Sequence, residues 1–425
     1  MNAAFDDVLD YVNGLEIVDT HEHLPASESK RPQDTDVLRE YLTHYFNRDL
    51  ISAGLSKKEF AQATDAALPI ADRWRIVEPY WEAARATGYG QCLDLAAQGL
   101  YGIPKICAES IEELDDAFQK SLAPGHYRYV LKEKSRIHVS LVDSDLDCDR
   151  EFFRSVYRLD SFVYPSCHND LAGIERRTGL RIRRFDDWLE ACETDLAAAL
   201  DKGAVALKSG LAYVRSLQYA RATRHEAEEE FNRFIATVHR EAWLSLPIEA
   251  SRKFQDYMMH FVLHLADRHG LTFQFHTGLQ EGNGNVIANS DPTLLSNLFI
   301  EYPGVKFDIF HIGYPYQQAV SVLAKTFPNV FIDMCWAHII SPPACVDALA
   351  EWLEVVPVNK ISAFGGDFCF VDGVYGHQVL ARRDVSKALA RKVEEGLFDA
   401  ARAKEIAEMV FVTNPRRLFG LGRKR

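Results

Sequence analysis

The chain of 425 residues carries 47% hydrophobic and 26% charged side chains, the balance of a globular protein with material for a large core. Its formal charge of −13 leaves no Lys/Arg excess to displace counterions from nucleic acid or to hold an anionic lipid surface, so both partners are excluded and a small-molecule substrate is expected. The opening MNAAFDDVLDYV lacks the basic and apolar regions of a secretory leader, and no window approaches 18 uninterrupted apolar residues, which predicts a cytoplasmic protein with no membrane span. The eight cysteines, at 92, 107, 148, 167, 192, 335, 345 and 369, form no CxxC pair and are read as free thiols. A homo-oligomer stays open.

The first element is "LEIVDTHEHL" at 15–24, where Leu15, Ile17 and Val18 start a buried strand and Pro25 ends it. Side chains two apart on a strand share a side, so His21 and His23 converge at its end like half of a metal site. Residues 24–135 read as helices, among them "DVLREYLTHYF" and "ADRWRIVEPYWEAARATG", an insertion placed to act as a lid. Seven more apolar runs follow, at 136–143, 160–167, 203–210, 271–278, 306–313, 329–336 and 360–368, most of them separated by helical stretches. One crossover shows its caps: Ser290 or Asp291 as N-cap, Pro292 at the first helical position and Gly304 after the end. Residues 219–269 hold two helical stretches where one would suffice. Such alternation predicts a parallel sheet, and eight strands predict its closure into an α/β fold, the (β/α)8 TIM barrel, as a single domain over 1–425 with the helical insertion at about 24–135.

In such a barrel the chemistry sits at the C-terminal ends of the strands. Five of the eight end on a group that can bind a metal or move a proton: His21 with His23, Lys208, His276, His311 and Asp367. Imidazoles with a carboxylate suit a divalent transition metal, most simply zinc, with an open position for water. Other histidines fit less well. His260 and His264 are spaced as in HExxH but lack the glutamate, which favours core packing, and His225 and His239 lie in a charged, solvated helix.

"VDTHEHL", "FQFHTG", "FDIFHIGYPY", "FGGDF" and the closing "NPRRLFGL" together resemble the amidohydrolase superfamily, in the branch near uronate isomerases and the amidohydrolase domains fused to glutamine synthetase. The resemblance implies that His21, His23, His276 and Asp367 bind one metal, with two left open. It implies that Asp367 also shuttles the proton, and that His311 ligates or contacts the reacting oxygen of the substrate. Lys208 would be either a carboxylated bridge between two metals or an ammonium on the substrate, and the neighbouring Tyr213 and Arg215 favour the ammonium. Pocket selectivity would fall to the insertion and to the loop carrying Trp336. The expected activity is hydrolysis of a small, carboxylated amide, lactone or ester by a metal-activated water. The alternatives are non-oxidative decarboxylation, uronate isomerisation, and a metal-holding scaffold without turnover. Isomerisation ranks behind hydrolysis here, because no arginine-rich run follows Asp367; only Arg382 and Arg383 occur, at a distance.

Overall fold

Eight strands form in the computed structural model, which describes residues 3–166, 168–238 and 251–422. They are β1 (Ile17–Glu22), β2 (Ile137–Val142), β3 (Phe153–Arg158), β4 (Ala206–Ser209), β5 (Thr272–Phe275), β6 (Lys306–Ile309), β7 (Val330–Asp333) and β8 (Ile361–Ser362). Each runs parallel to the next, and spatial order equals chain order. Hydrogen bonds from Thr20 N to Phe364 O (3.0 Å), Asp367 N to His21 O (2.8 Å) and His23 N to Phe368 O (3.0 Å) join the last strand's extension to the first. The result is the (β/α)8 TIM barrel.

Register sorts the side chains. Lys208, Gln274 and Asp308 are partners across β4, β5 and β6 and share one side of the sheet, while Leu207, Phe273 and Phe307 share the other. The second set packs outward, Phe307 against Phe299 of the helix Ser296–Glu301 with ring centroids 4.9 Å apart. The first set forms a buried polar level inside the barrel, with Asp19 and Ser140 on β1 and β2 also in register. Burying each outward phenylalanine contributes roughly 1.5–3 kcal/mol. The inward polar groups gain nothing of that kind and depend on hydrogen bonds across the barrel interior.

Six α-helices run between β1 and β2, and they are anchored over the far end of β8. Asp372, fully buried, accepts from Tyr101 Oη (2.6 Å) and Tyr41 Oη (3.3 Å) and pairs with His126 Nε2 (2.8 Å). The helix Gly88–Tyr101 also lies tight against the helix Val371–Glu394, where a Cβ on Gly376 would strike the Cys92 carbonyl. Elsewhere Asp291 caps the turn that starts at Pro292, accepting from Thr293 N at 2.9 Å. No helix among the described residues is long and apolar enough to cross a membrane. The seven described cysteines are free, and Cys167 lies outside the described residues.

The third strand differs from the expectation. It is Phe153–Arg158, and residues Asp160–Val163 of the expected run form a short helix. The apolar letters of "SFVY" serve packing beneath a neighbouring helix: Phe162 meets Trp188 with centroids 5.3 Å apart, and its carbonyl accepts from the indole N–H at 3.2 Å. An apolar run alone cannot separate these two uses.

Candidate metal centre and active site

His21 and His23 do converge at the end of β1. His21 Nε2 lies 3.4 Å from Asp143 Oδ2 and 3.8 Å from Asp367 Oδ1. His23 reaches the same two carboxylates with Nδ1 (2.6 Å) and Nε2 (3.0 Å). Burial, with the charge of Lys208 adding to it, pulls His21 down to about 4. Burial also acts downward on His23, but Asp143 and Asp367 outweigh it and push the ring up to about 9. The carboxylates respond in kind. Burial by itself would raise them, yet the imidazoles of His23 and His21 hold both Asp143 and Asp367 well below the usual range, with His311 adding to the effect on Asp367.

A second donor group faces this one. His311 Nδ1 sits 2.9 Å from the Cys335 carbonyl and His276 Nε2 sits 2.9 Å from the Leu279 carbonyl. Carbonyl oxygens only accept, so each of those nitrogens carries a hydrogen. The remaining nitrogens, His311 Nε2 and His276 Nδ1, then face each other at 2.9 Å as two lone pairs. Burial lowers His311 to about 3 and His276 well below its usual value, which disfavours a second proton on either ring. A cation held by both nitrogens would relieve the clash. Asp367 Oδ2, 3.8 Å from His311 Nε2, is the nearby carboxylate that could share it. This pairing of imidazole lone pairs, together with the buried and unpartnered His21 Nε2, fits a divalent metal.

The backbone is strained at the same place. Of the six non-glycine residues with positive φ among the described residues, His44, His311, Ile312, Trp336 and Asp367 are at the site or next to it in sequence. Such conformations cost of order 1–3 kcal/mol each and persist where surrounding contacts enforce them, commonly at functional sites.

The family model described as Amidohydrolase matches residues 164–421. The chain belongs to the amidohydrolase family. Across nearly its whole length this amidohydrolase is similar to the uronate isomerase of Corynebacterium efficiens, 22% identical over 97% of this chain and 95% of that one. It is 26% identical to protein fluG of Emericella nidulans over 53% of this chain, a match that spans only 26% of fluG. In fold it is similar to the crystal structure of uronate isomerase from Thermotoga maritima, with a TM-score of 0.83 at 16% identity, covering 99% of this chain and 98% of that one. The protein is a metal-dependent enzyme of the amidohydrolase superfamily.

The other expected positions of the amidohydrolase separate. Lys208 is 2% exposed, its ammonium 3.4 Å from the centre of the Phe310 ring, and it makes no hydrogen bond to the described residues. Burial lowers it to about 8, with Asp367 opposing. Tyr213 lies beside His276, ring centroids 4.5 Å apart, and its hydroxyl accepts from Glu281 N at 3.0 Å. Trp336 packs edge-on to His311 at 5.0 Å and stacks on Tyr45 at 4.7 Å, with its buried indole N–H unpartnered.

Arg215 is not brought to the site. Its guanidinium is wholly buried and donates to Gln255 Oε1 (2.9 Å), Asp256 Oδ1 (2.7 Å) and the carbonyls of Ser216 and Gln218. A charge so fully engaged inside the protein has nothing left for a substrate. His260 bonds Tyr302 Oη at 2.8 Å, as core packing predicts, and His225 is exposed; His239 lies outside the described residues.

Four residues at the site were missed. Asp143 follows the second strand, where the strand-end rule would have found it. Arg158, whose Nε is 2.5 Å from Asp143 Oδ2, ends the true third strand and was hidden by the misplaced one. His44 and Tyr45 come from the stretch between β1 and β2: His44 has a buried unpartnered Nδ1 and lies 6.2 Å from the His23 ring, and Tyr45 Oη donates to the Asp367 carbonyl at 2.6 Å. Nothing in the letters "LTHYF" distinguishes them from helix surface.

Proposed function

We propose that this amidohydrolase is a metal-dependent isomerase of small carboxylated sugars, of the uronate type. The observation that carries the reading is the end-to-end match to uronate isomerases, 22% identical over 97% of this chain. His21, His23 and Asp367 would hold a divalent metal, with zinc the simplest choice for these donors, and His276 and His311 would be further ligands. When bound, that metal supplies Lewis acidity toward the carbonyl oxygen of the substrate. The chain's own groups handle the proton. Asp367, kept ionised by the surrounding imidazoles, can accept the proton from the carbon beside the carbonyl and return it to the carbonyl carbon, while the proton of the neighbouring hydroxyl passes to the former carbonyl oxygen, so aldose becomes ketose without change of formula. Burial keeps the Tyr45 phenol protonated, and its one hydrogen is held by the Asp367 carbonyl, so Tyr45 positions the Asp367 backbone and could only accept from a substrate hydroxyl. Lys208, as an unmodified ammonium without a carboxylate partner, would take the substrate's carboxylate, with Tyr213 and Trp336 bordering the pocket.

Hydrolysis of a small carboxylated amide, lactone or ester is the second reading. It is favoured by the stretch after Asp367, "FCFVDGV", which offers no arginine to a sugar acid, and by Arg382, which is buried on the carbonyls of Val12, Leu15 and Ser135. There Asp367 would take the proton of the attacking water and pass it to the leaving group.

The test is incubation of metal-loaded protein with glucuronate and galacturonate in D2O. Metal-dependent formation of the ketose, with solvent deuterium entering at the former carbonyl carbon that receives the proton, is expected. Failure on every uronate, with metal-dependent opening of lactones or amides, would establish the second reading instead.

A further inference from the structure

The polar level inside the barrel leads to one residue. Gln274, on β5 and fully buried, donates from Nε2 to the Thr20 carbonyl at 3.0 Å and lies 3.3 Å from Asp308 Oδ2. A backbone carbonyl only accepts, so the amide nitrogen must point there and Oε1 must point away from it. Oε1 faces His21 Nδ1 at 3.2 Å. An amide oxygen also only accepts, so His21 carries its hydrogen on Nδ1 and leaves Nε2 as a bare lone pair, directed to where Asp143 and Asp367 gather. Gln274 therefore holds β1 at two successive residues, by the carbonyl of Thr20 and the ring of His21.

We propose that Gln274 is the positioning residue of the metal centre: it sets the tautomer and ring orientation of His21, and Asp308 with Asp333 behind it keeps its amide from turning over. The inference rests on the metal-centre reading of His21. Beneath the amide lie two fully buried carboxyl groups, burial raising Asp308 to about 7 and, with the charge of Asp308 adding, Asp333 well above its usual value. Metal-bound histidines commonly donate their second N–H to a carboxylate, a backbone carbonyl or water, and losing such a partner costs 10- to 100-fold in metal affinity. Here a neutral side-chain amide fills the role, suited to a place already surrounded by buried carboxyls.

Two measurements test this. In long-range nitrogen–proton spectra of the metal-free wild-type protein, with His21 assigned by difference from His21→Gln, its Nδ1 is expected to be the protonated nitrogen; protonation at Nε2 alone would overturn the proposal without any variant of Gln274 having to fold. Zinc affinity by chelator competition is then compared among wild type, Gln274→Met and Gln274→Glu. Gln274→Met keeps the volume but cannot accept, and should weaken zinc about 10- to 100-fold. Gln274→Glu still accepts from Nδ1 and should recover most of it. Wild-type affinity in Gln274→Met refutes the role of Gln274, whereas a wild type that takes up no metal refutes the metal centre itself, so the two failures are distinguishable.

Discussion

Replacing Arg215 with Met separates a substrate-binding arginine from a structural one. The side chain is 0% exposed and its partner Asp256 3%, with Nη2 to Oδ1 at 2.7 Å. Removing one member of a buried ion pair costs about 3–5 kcal/mol, because the other is left as an uncompensated charge. Arg252 Nε, 3.6 Å from the same Asp256 oxygen, would compensate in part and moves the expectation to the lower end. Against this, the guanidinium stacks 4.0 Å from the centre of the Tyr219 ring, an interaction worth up to about 2 kcal/mol when desolvated. Met fills most of the volume but carries neither charge nor donors, so a net loss of about 3 kcal/mol is expected. With a urea dependence of about 3 kcal/mol per molar, the unfolding midpoint should fall by about 1 M. Equilibrium urea unfolding followed by tryptophan fluorescence measures this directly. An unchanged midpoint, combined with weakened binding of anionic substrates alone, would show that Arg215 faces the substrate after all.

Replacing His21 and His23 together with Ala should abolish metal uptake by the purified protein, read by elemental analysis; stoichiometric metal in the double variant would place the centre elsewhere. Lys208→Ala should raise KM for carboxylated substrates at least 10-fold more than for neutral analogues while metal content stays constant. Loss of one of two metals in that variant would instead make Lys208 a bridging ligand. Asp372 supplies an acid-stability test: burial by itself would raise it, but His126, Arg31 and Tyr101 hold it below its usual value. Its folded pKa is depressed, so its contribution is present above the unfolded value near 4 and is lost as pH falls through the folded one. Asp372→Asn should therefore flatten the acid limb of a stability-versus-pH curve below about pH 4, and an unchanged acid limb would remove Asp372 from the linkage.

How much of the site was legible follows from the range of each interaction. His21 with His23, and the strand-end positions of Lys208, His276, His311 and Asp367, come from a period of two within single strands, which a sequence displays openly. Asp143 obeyed the same rule and could have been read. Arg158 could not, because its strand was displaced by a run whose apolarity belongs to the packing of Phe162 beneath Trp188. Arg215 reads as a substrate ligand from its proximity to Lys208 in sequence; only the fold shows Gln255 and Asp256 closing over it.

The sequence by itself determined the barrel and the donors, since alternating strands and helices with metal-binding side chains at the strand ends are local patterns. Tertiary structure decided how those donors are used. Which nitrogen of His21 is bare depends on Gln274 of β5, and which nitrogens of His276 and His311 oppose each other depends on two loop carbonyls. His44 and Tyr45 reach the centre from the helices between β1 and β2, which Tyr41, Tyr101 and His126 tie to Asp372 in the helix after β8. These are choices of hydrogen-bond partner made across the barrel, and a hydrogen bond depends on distance and direction in space, which the order of residues along the chain does not specify.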